Sequence, residues 1–444
     1  MSDSEQERPG DPPGLLHVLV LGGYGLIGAA IVRRLMAEGH KVTAIGRSDK
    51  IRNKPQATDW HFFNIGRQSV GGWRAALSGV DAVVNASGAL QDGARDNLTA
   101  IHETALAQLG EALQGSAARV VQISAAGVSD QASTAFFRSK ARGEAALVAS
   151  GVDVTILRPT LVIAPTAYGG TALLRAAASM PWILPKVLPN TRVQCVHIDD
   201  LTAAVVDAVE GRLATNAPID VTGADTVALP DLLSRMRRWM GFDDAKLTPP
   251  VPSFAIKALS FVADVAGHLG WRAPLRSTAV TVLRDGVTGD ATALARAGGN
   301  PCRALDEVFA TLPATTQDRW FARAFLLLSI AILTLSLFWI VSGLIALWHP
   351  SSATQVLSAR GMPAAPALTL VIGGAILDIA LGAAVLIRRW AKHACQGMIL
   401  LSLAYLAGAI VFAPDLWADP LGPMVKVVPT IVLTLFTLAF LDDR

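Results

Sequence analysis

The chain has 444 residues, 52 % of them hydrophobic and only 16 % charged, with a formal net charge of +3 at pH 7. Soluble domains carry roughly 25 % charged residues, so a wholly soluble enzyme is excluded and membrane segments are expected. The small charge, with no basic tract interleaved with aromatics, argues against a nucleic-acid partner. The length leaves room for two or three domains. Cys195, Cys302 and Cys395 are scattered without ligand spacing, so neither a metal site nor a disulfide framework is expected. Residues 1–14 are polar and acidic where a signal peptide would be basic and then apolar, and they read as a disordered leader.

The first element is an apolar, β-branched run from Leu16 to Leu21. It meets Gly22-Gly23-Tyr24-Gly25-Leu26-Ile27-Gly28, and an amphipathic helix with Ile31, Val32, Leu35 and Met36 starts at once. A strand, a tight turn and a helix N-terminus in that order suit a pyrophosphate, because the helix offers unpaired N–H groups and its positive end. Gly22 permits the turn, Gly25 lets the backbone approach the ligand, and Gly28 lets the helix pack on its strand. The second strand, Lys41–Ile45, ends in Gly46-Arg47-Ser48. An acidic residue there would bind a ribose 2′-hydroxyl, whereas Arg47 and Ser48 offer donors to a 2′-phosphate, so NADP is favoured with NAD possible.

A third strand, Asp59–Phe63, leads to Asn64, placed to meet the adenine. The strand beginning at Asp81 runs out through Ala86-Ser87-Gly88 on the expected nicotinamide side. A helical stretch from about Ala94 to Leu113 and a strand Arg119–Ser124 follow. This alternation predicts an α/β Rossmann domain, a doubly wound parallel sheet.

These glycines, with the strand ending in Ser124 and with Arg138-Ser139-Lys140-Ala141-Arg142-Gly143-Glu144, Leu157-Arg158-Pro159 and Val196–Leu201, resemble the extended or atypical short-chain dehydrogenase/reductases, NAD(P)-dependent epimerase/dehydratase-like proteins. Among these they look like the subgroup that contains the complex I Rossmann-fold accessory subunit and its bacterial cousins. The resemblance covers residues 15–312 and implies catalysis by a serine, a tyrosine and a lysine. Ser124 and Lys140 match, the lysine also holding the nicotinamide ribose, but the tyrosine position is Phe136. A phenyl ring has no exchangeable proton. Of the three tyrosines, Tyr168 follows the strand Val154–Leu157 at the expected cleft mouth and is the candidate replacement donor, though it also reads as a substrate-packing or loop aromatic. His102 falls near a position where many relatives carry an active-site asparagine; a lone helical histidine also reads as a packed residue, as does His197.

From Thr160 to Leu312 the pattern thins into a small substrate lobe. Within it an apolar helix from Phe254 to about Leu269 could line a lipophilic cleft, rest on the membrane, or pack in a core. Residues 313–323 form an aromatic and basic juxtamembrane collar. Apolar runs then occupy about 324–348, 365–387, 397–413 and 425–441, each near the ~20 residues that cross a bilayer core. The module 324–444, with Leu416-Trp417-Ala418-Asp419-Pro420-Leu421-Gly422-Pro423, resembles the DoxX-like family, some of whose members are associated with quinone-linked respiratory proteins. Arg388, Arg389 and Lys392 in the middle connection place that loop and both termini in the cytoplasm of a multi-pass, bacterial-type inner-membrane protein. Asp378 lies inside the second run, where it must face the bundle, a partner or a cavity, or stay protonated. The expected function is oxidoreduction of a lipophilic carbonyl, isoprenoid or quinone-like substrate with a non-standard proton donor. The alternative is a non-enzymatic, nucleotide-bound scaffold or sensor for a membrane complex.

Overall fold

The computed structural model describes residues 14–49, 54–93, 96–214, 217–271, 273–420 and 422–441; the expected leader, apart from Gly14, lies outside the described residues. The chain divides into two compact units, Met1–Lys257 with Leu275–Thr315, and Ala258–Pro274 with Thr316–Arg444.

In the first unit six strands alternate with helices. They are β1 (His17–Leu21), β2 (Lys41–Gly46), β3 (Asp59–Phe62), β4 (Ala82–Asn85), β5 (Arg119–Ile123) and β6 (Val154–Pro159). The edge strand Ile219–Val221 extends them to a seven-stranded sheet, in the order Ile219–Val221, β6, β5, β4, β1, β2, β3. All the pairings are parallel. Helix α1 (Leu26–Ala37) follows β1, α2 (Val70–Ala76) precedes β4, α3 (Ala105–Ala112) precedes β5, and α4 (Ala135–Ala149) joins β5 to β6. Both faces of β1 are sealed: Val18 and Val20 pack with Ile31 and Leu35 on one side, Leu19 and Leu21 with Trp73 and Leu109 on the other. A strand buried on both faces explains why residues 18–21 read as one continuous apolar run. The order of strands reverses between β1 and β4, and ligands of such sheets bind in the crevice at the carboxyl ends there.

The second unit is helical. Thr316–Trp348, Ala364–Ala384 and Ala391–Phe412 are long and apolar enough to cross a membrane, and Val427–Leu441 is a shorter apolar helix. Helix Thr316–Trp348 begins within the expected collar and takes in Trp320 and Arg323. The first two of these helices approach closely: a Cβ on Gly343 would lie 2.5 Å from the Ala375 carbonyl oxygen, and one on Gly382 2.9 Å from the Ile340 nitrogen. Small residues at such crossings let backbones meet where lipid supplies no hydrophobic drive. The connectors alternate ends: Arg360 donates to Asp415 at 2.8 Å, tying the first connector to the third. Arg388, in the middle one, donates to the Leu441 carbonyl at 2.7 Å. Asp378 is buried and accepts a hydrogen bond from the Tyr405 hydroxyl at 2.9 Å, so it faces the bundle.

Candidate functional site

The glycine loop is shaped by three contacts. Gly22 has φ of 74°, and a Cβ there would lie 2.9 Å from Ser87 Cα. Gly28 presses on the loop so closely that its Cβ would stand 2.2 Å from the Gly22 oxygen. Gly25, the N-cap of α1, bears no side-chain cap, and its Cβ would meet only the Gly22 oxygen, at 3.3 Å. An uncapped helix start behind a cradle that a side chain would fill fits a dinucleotide pyrophosphate.

Beside the loop, the Tyr24 ring covers Gly46 and stacks on Trp60 with centroids 6.5 Å apart, and Trp60 stacks in turn on Phe62 at 5.9 Å. The Tyr24 hydroxyl accepts the Arg47 N–H at 3.0 Å. The Arg47 guanidinium itself pairs with Asp96 at 2.5 Å. That carboxylate, which the sequence reading did not single out, offsets the positive charge that Arg47 would offer a 2′-phosphate. Asn64 caps a short 3₁₀ turn through Oδ1, which accepts the Gly66 N–H at 3.1 Å. Ser48 lies two residues beyond the end of β2.

On the nicotinamide side a buried polar chain crosses the sheet ends. Ser87 donates both its hydroxyl and its N–H to Asn85 Oδ1. Asn85 Nδ2 donates to Gln122 Oε1 at 2.8 Å, and Gln122 Nε2 to the Ile123 carbonyl at 3.1 Å. The same carbonyl accepts from Lys140 Nζ at 3.1 Å. Asn85 and Gln122 escaped the sequence reading; the available signal was a pair of amides inside otherwise apolar strands. Ser124, one residue beyond β5, is buried and its Oγ has no partner. An orphaned hydroxyl at the mouth of the crevice is a donor and acceptor held ready for a ligand oxygen.

Lys140 on α4 is buried, and burial pulls its ammonium down to about 8, against the opposing pull of Glu144 one turn on. Glu144 is in turn held by Arg158 at the end of β6, at 3.3 Å. His102 sits on a π-helical turn, Ala100–Thr104, a distortion frequent at functional sites. Burial and the Lys140 charge push its imidazole down to about 3. Nε2 accepts the Ala89 N–H at 3.2 Å, so the proton lies on Nδ1 and goes to Ser139 Oγ at 2.8 Å. His102 is therefore neutral, with both nitrogens engaged; it fixes the loop after Gly88. Gly143 makes this possible, since its Cβ would lie 1.8 Å from the His102 oxygen. Phe136 packs its ring edge-on to His102 at 5.8 Å, and Lys140 Nζ stands 5.8 Å from the same ring.

The remaining residues lie elsewhere. Tyr168 is 55 % exposed on the loop before helix Gly170–Ala178, its backbone tied to Thr171. His197 is buried and caps helix Ile198–Val209, accepting the Asp199 N–H at 3.1 Å. Among the described residues no cluster of histidine, cysteine and carboxylate side chains could hold a metal.

Residues 22–180 match the NAD(P)H-binding family and residues 336–435 the DoxX-like family. Of solved structures, a UDP-glucose 4-epimerase from Thermotoga maritima, with UDP-glucose, is 16 % identical with a TM-score of 0.50, over 70 % of this chain and 100 % of that one. The Bordetella bronchiseptica enzyme WbmH, in complex with NAD+, is 20 % identical with a TM-score of 0.45, over 55 % of this chain and 91 % of that one. Likeness at this identity is a likeness of fold. Curated proteins give no significant match. Residues 22–180 thus form an NAD(P)-binding domain whose fold is like that of the epimerase, and residues 336–435, C-terminal to it, a DoxX-like domain.

Proposed function

We propose that the protein is a membrane-anchored, NADP(H)-preferring oxidoreductase acting on a lipophilic carbonyl, isoprenoid or quinone-like substrate. The observation that carries this reading is the orphaned Ser124 hydroxyl, one residue from the carbonyl that anchors buried Lys140. A nicotinamide supplies or accepts a hydride when bound. Gly22, Gly23, Gly25 and the start of α1 hold the pyrophosphate, with Leu26 and Ile27 giving their backbone amides. Ala86, Ser87 and Gly88 border the nicotinamide side. Lys140 donates to the ribose and Ser124 to the oxygen at which charge develops, which lowers the barrier most when the donor is fixed in advance. Phe136 supplies no proton and neutral His102 has none to spare, so Tyr168 is assigned as the donor, reaching the substrate from the loop. An apolar substrate suits a chain whose second unit is built of apolar helices.

The domain division of this proposal is reductase-like residues 15–312, the collar 313–323 and the membrane module 324–444. The basic connection Arg388–Lys392 faces the cytoplasm with both termini. A reporter fused after Arg444 should read cytoplasmic and one near Ser352 external; a periplasmic C-terminus would refute the orientation.

The deciding experiment is NADPH oxidation by purified full-length protein with short-chain quinones and long-chain aldehydes. Turnover with either supports the reading. Tight cofactor binding without hydride transfer to any of them supports the second reading, a nucleotide-bound scaffold or sensor, which Phe136 at the tyrosine position favours.

A further inference from the structure

Helix Ser253–His268 leaves an apolar face uncovered. Phe254, Ala258, Phe261 and Val265 recur at helical spacing along it; Phe254 is 73 % exposed, Phe261 70 % and Val265 44 %, with Val262 alongside at 54 %. Its buried face is narrow and carries Ile256, Ser260, Ala263 and Gly267. Among the exposed positions the ionisable groups, Lys257 and His268, sit at the stripe's edge. In water such a stripe of aromatic and branched side chains is unfavourable by about 25 cal/mol for each Å² left uncovered.

The end of this helix is fastened within the second unit. The Leu269 carbonyl accepts the Arg388 N–H at 3.1 Å. Trp271 Nε1 donates to the Leu386 carbonyl at 2.7 Å, and the Arg388 guanidinium lies 5.5 Å from the Trp271 ring centre. Leu386 and Arg388 belong to the basic connection between helices Ala364–Ala384 and Ala391–Phe412, the point where two apolar helices end. Trp390 in the same connection is 51 % exposed, and tryptophans at helix ends mark the level of lipid headgroups.

We infer that helix Ser253–His268 is an interfacial helix, whose Phe254, Phe261, Val262 and Val265 lie in the headgroup–acyl boundary of the leaflet on the basic-loop side. An amphipathic helix lying in that plane sinks its apolar face by roughly 5–10 Å, and a basic edge favours anionic lipid. The Arg388–Lys392 connection supplies that edge; on the helix itself half-buried Asp264 offsets the charge of Lys257, seven residues before it on the same face. The occupant of the stripe is lipid, because the anchoring contacts set its end at the level where the apolar helices stop. This inference rests on the reading that those helices span a bilayer, but not on any catalytic assignment.

Nitroxide labels test it, in full-length protein reconstituted into phosphatidylcholine–phosphatidylglycerol vesicles. Cys195 and Cys395 are buried, and Cys302→Ser removes the half-buried third cysteine. Phe261→Cys and Val265→Cys should give an oxygen-to-nickel-chelate collision ratio several-fold above that of Val148→Cys, a 57 % exposed site in the first unit. A ratio equal to that of Val148→Cys would overturn the inference. So would shielding from both reagents, which would mean that a second copy covers the stripe. Leu400→Cys, on helix Ala391–Phe412 and 68 % exposed, separates the two levels of failure. If it too reads as aqueous, the membrane reading falls and takes this inference with it; if only the 253–268 sites do, the interfacial helix alone is refuted.

Discussion

The two units encode their folds in different currencies. In the nucleotide-binding unit, single positions decide. Gly28 would collide with Gly22 at 2.2 Å if it carried a Cβ, and Gly143 with His102 at 1.8 Å. In the helical unit most outward positions tolerate any apolar side chain: Gly373 has nothing within 4 Å of a built Cβ, and Leu337 and Leu400 are 66 % and 68 % exposed. Specific geometry returns where helices cross, at Gly343 and Gly382, and at Asp378 with Tyr405. A binding crevice needs atoms in fixed places, whereas a lipid-facing surface needs only to be apolar.

The largest effect expected from that contrast is at the glycine loop. Gly25→Val should abolish binding of both NADPH and NADH, read by titration of nicotinamide fluorescence, because its side chain would fill the space left for the pyrophosphate. Gly28→Ala should destabilise the unit as well, since the carbonyl it meets is backbone and cannot swing aside. The matched Gly373→Val should leave cofactor binding and detergent-solubilised melting nearly unchanged. Comparable damage at Gly373 would erase the contrast.

Next comes the proton donor. General acids commonly contribute 10²–10⁴-fold, so Tyr168→Phe should slow NADPH-dependent turnover within that range while leaving cofactor affinity alone. Phe136→Tyr should raise turnover, by restoring a hydroxyl beside Lys140. An undiminished rate in Tyr168→Phe would remove that assignment.

The buried ionisable pair gives a pH signature that the lipid-facing surface has no means of giving. For His102, with the folded value about 3 against 6.5 in the unfolded chain, the unfolded state binds more protons between those limits. Stability therefore falls as pH falls from 6.5 towards 3, by up to roughly 5 kcal/mol. For Lys140, about 8 against 10.5, the charged form is penalised throughout neutral pH, and stability rises between pH 8 and 10.5 by about 3 kcal/mol. Melting temperatures of the full-length protein in detergent should show each slope relative to His102→Asn and Lys140→Met. A difference curve flat in both windows would mean that these side chains are hydrated.

Legibility in the sequence followed the same division. The parallel sheet was readable from apolar runs and glycines, and the apolar helices from composition alone, because both signals are local. Boundaries were less so: the helix expected from Ala94 starts at Leu98, and it is π-helical over Ala100–Thr104, where the His102 carbonyl lies against Gly143 on a separate helix. At the site, Ser124 and Lys140 came from motif order, while Asn85, Gln122 and Asp96 emerge only when separate strands and loops are brought together. Arg47 shows the limit best. Its place at the end of β2 was legible, and its partner, 49 residues on, was not.

That partner frames the smallest effect. Arg47 alone predicts a preference for NADPH, but the Arg47–Asp96 pair is close to neutral, and a 2′-phosphate must compete with a carboxylate for the same guanidinium. Both side chains are more than a third exposed, so solvent already weakens the pair. Arg47→Ala should narrow the gap between NADPH and NADH affinities, by at most the ~1.5–3 kcal/mol of one charge-assisted hydrogen bond. Asp96→Asn should widen it, by releasing the guanidinium and removing a negative charge from the phosphate's side. Isothermal titration of both cofactors against the three proteins gives the answer directly. If Asp96→Asn leaves the ratio unchanged, Arg47 does not meet the 2′-phosphate and cofactor choice lies elsewhere on the rim. If it lowers the ratio, Asp96 holds Arg47 in its working position, and the pair belongs with the residues whose fixed geometry defines this unit.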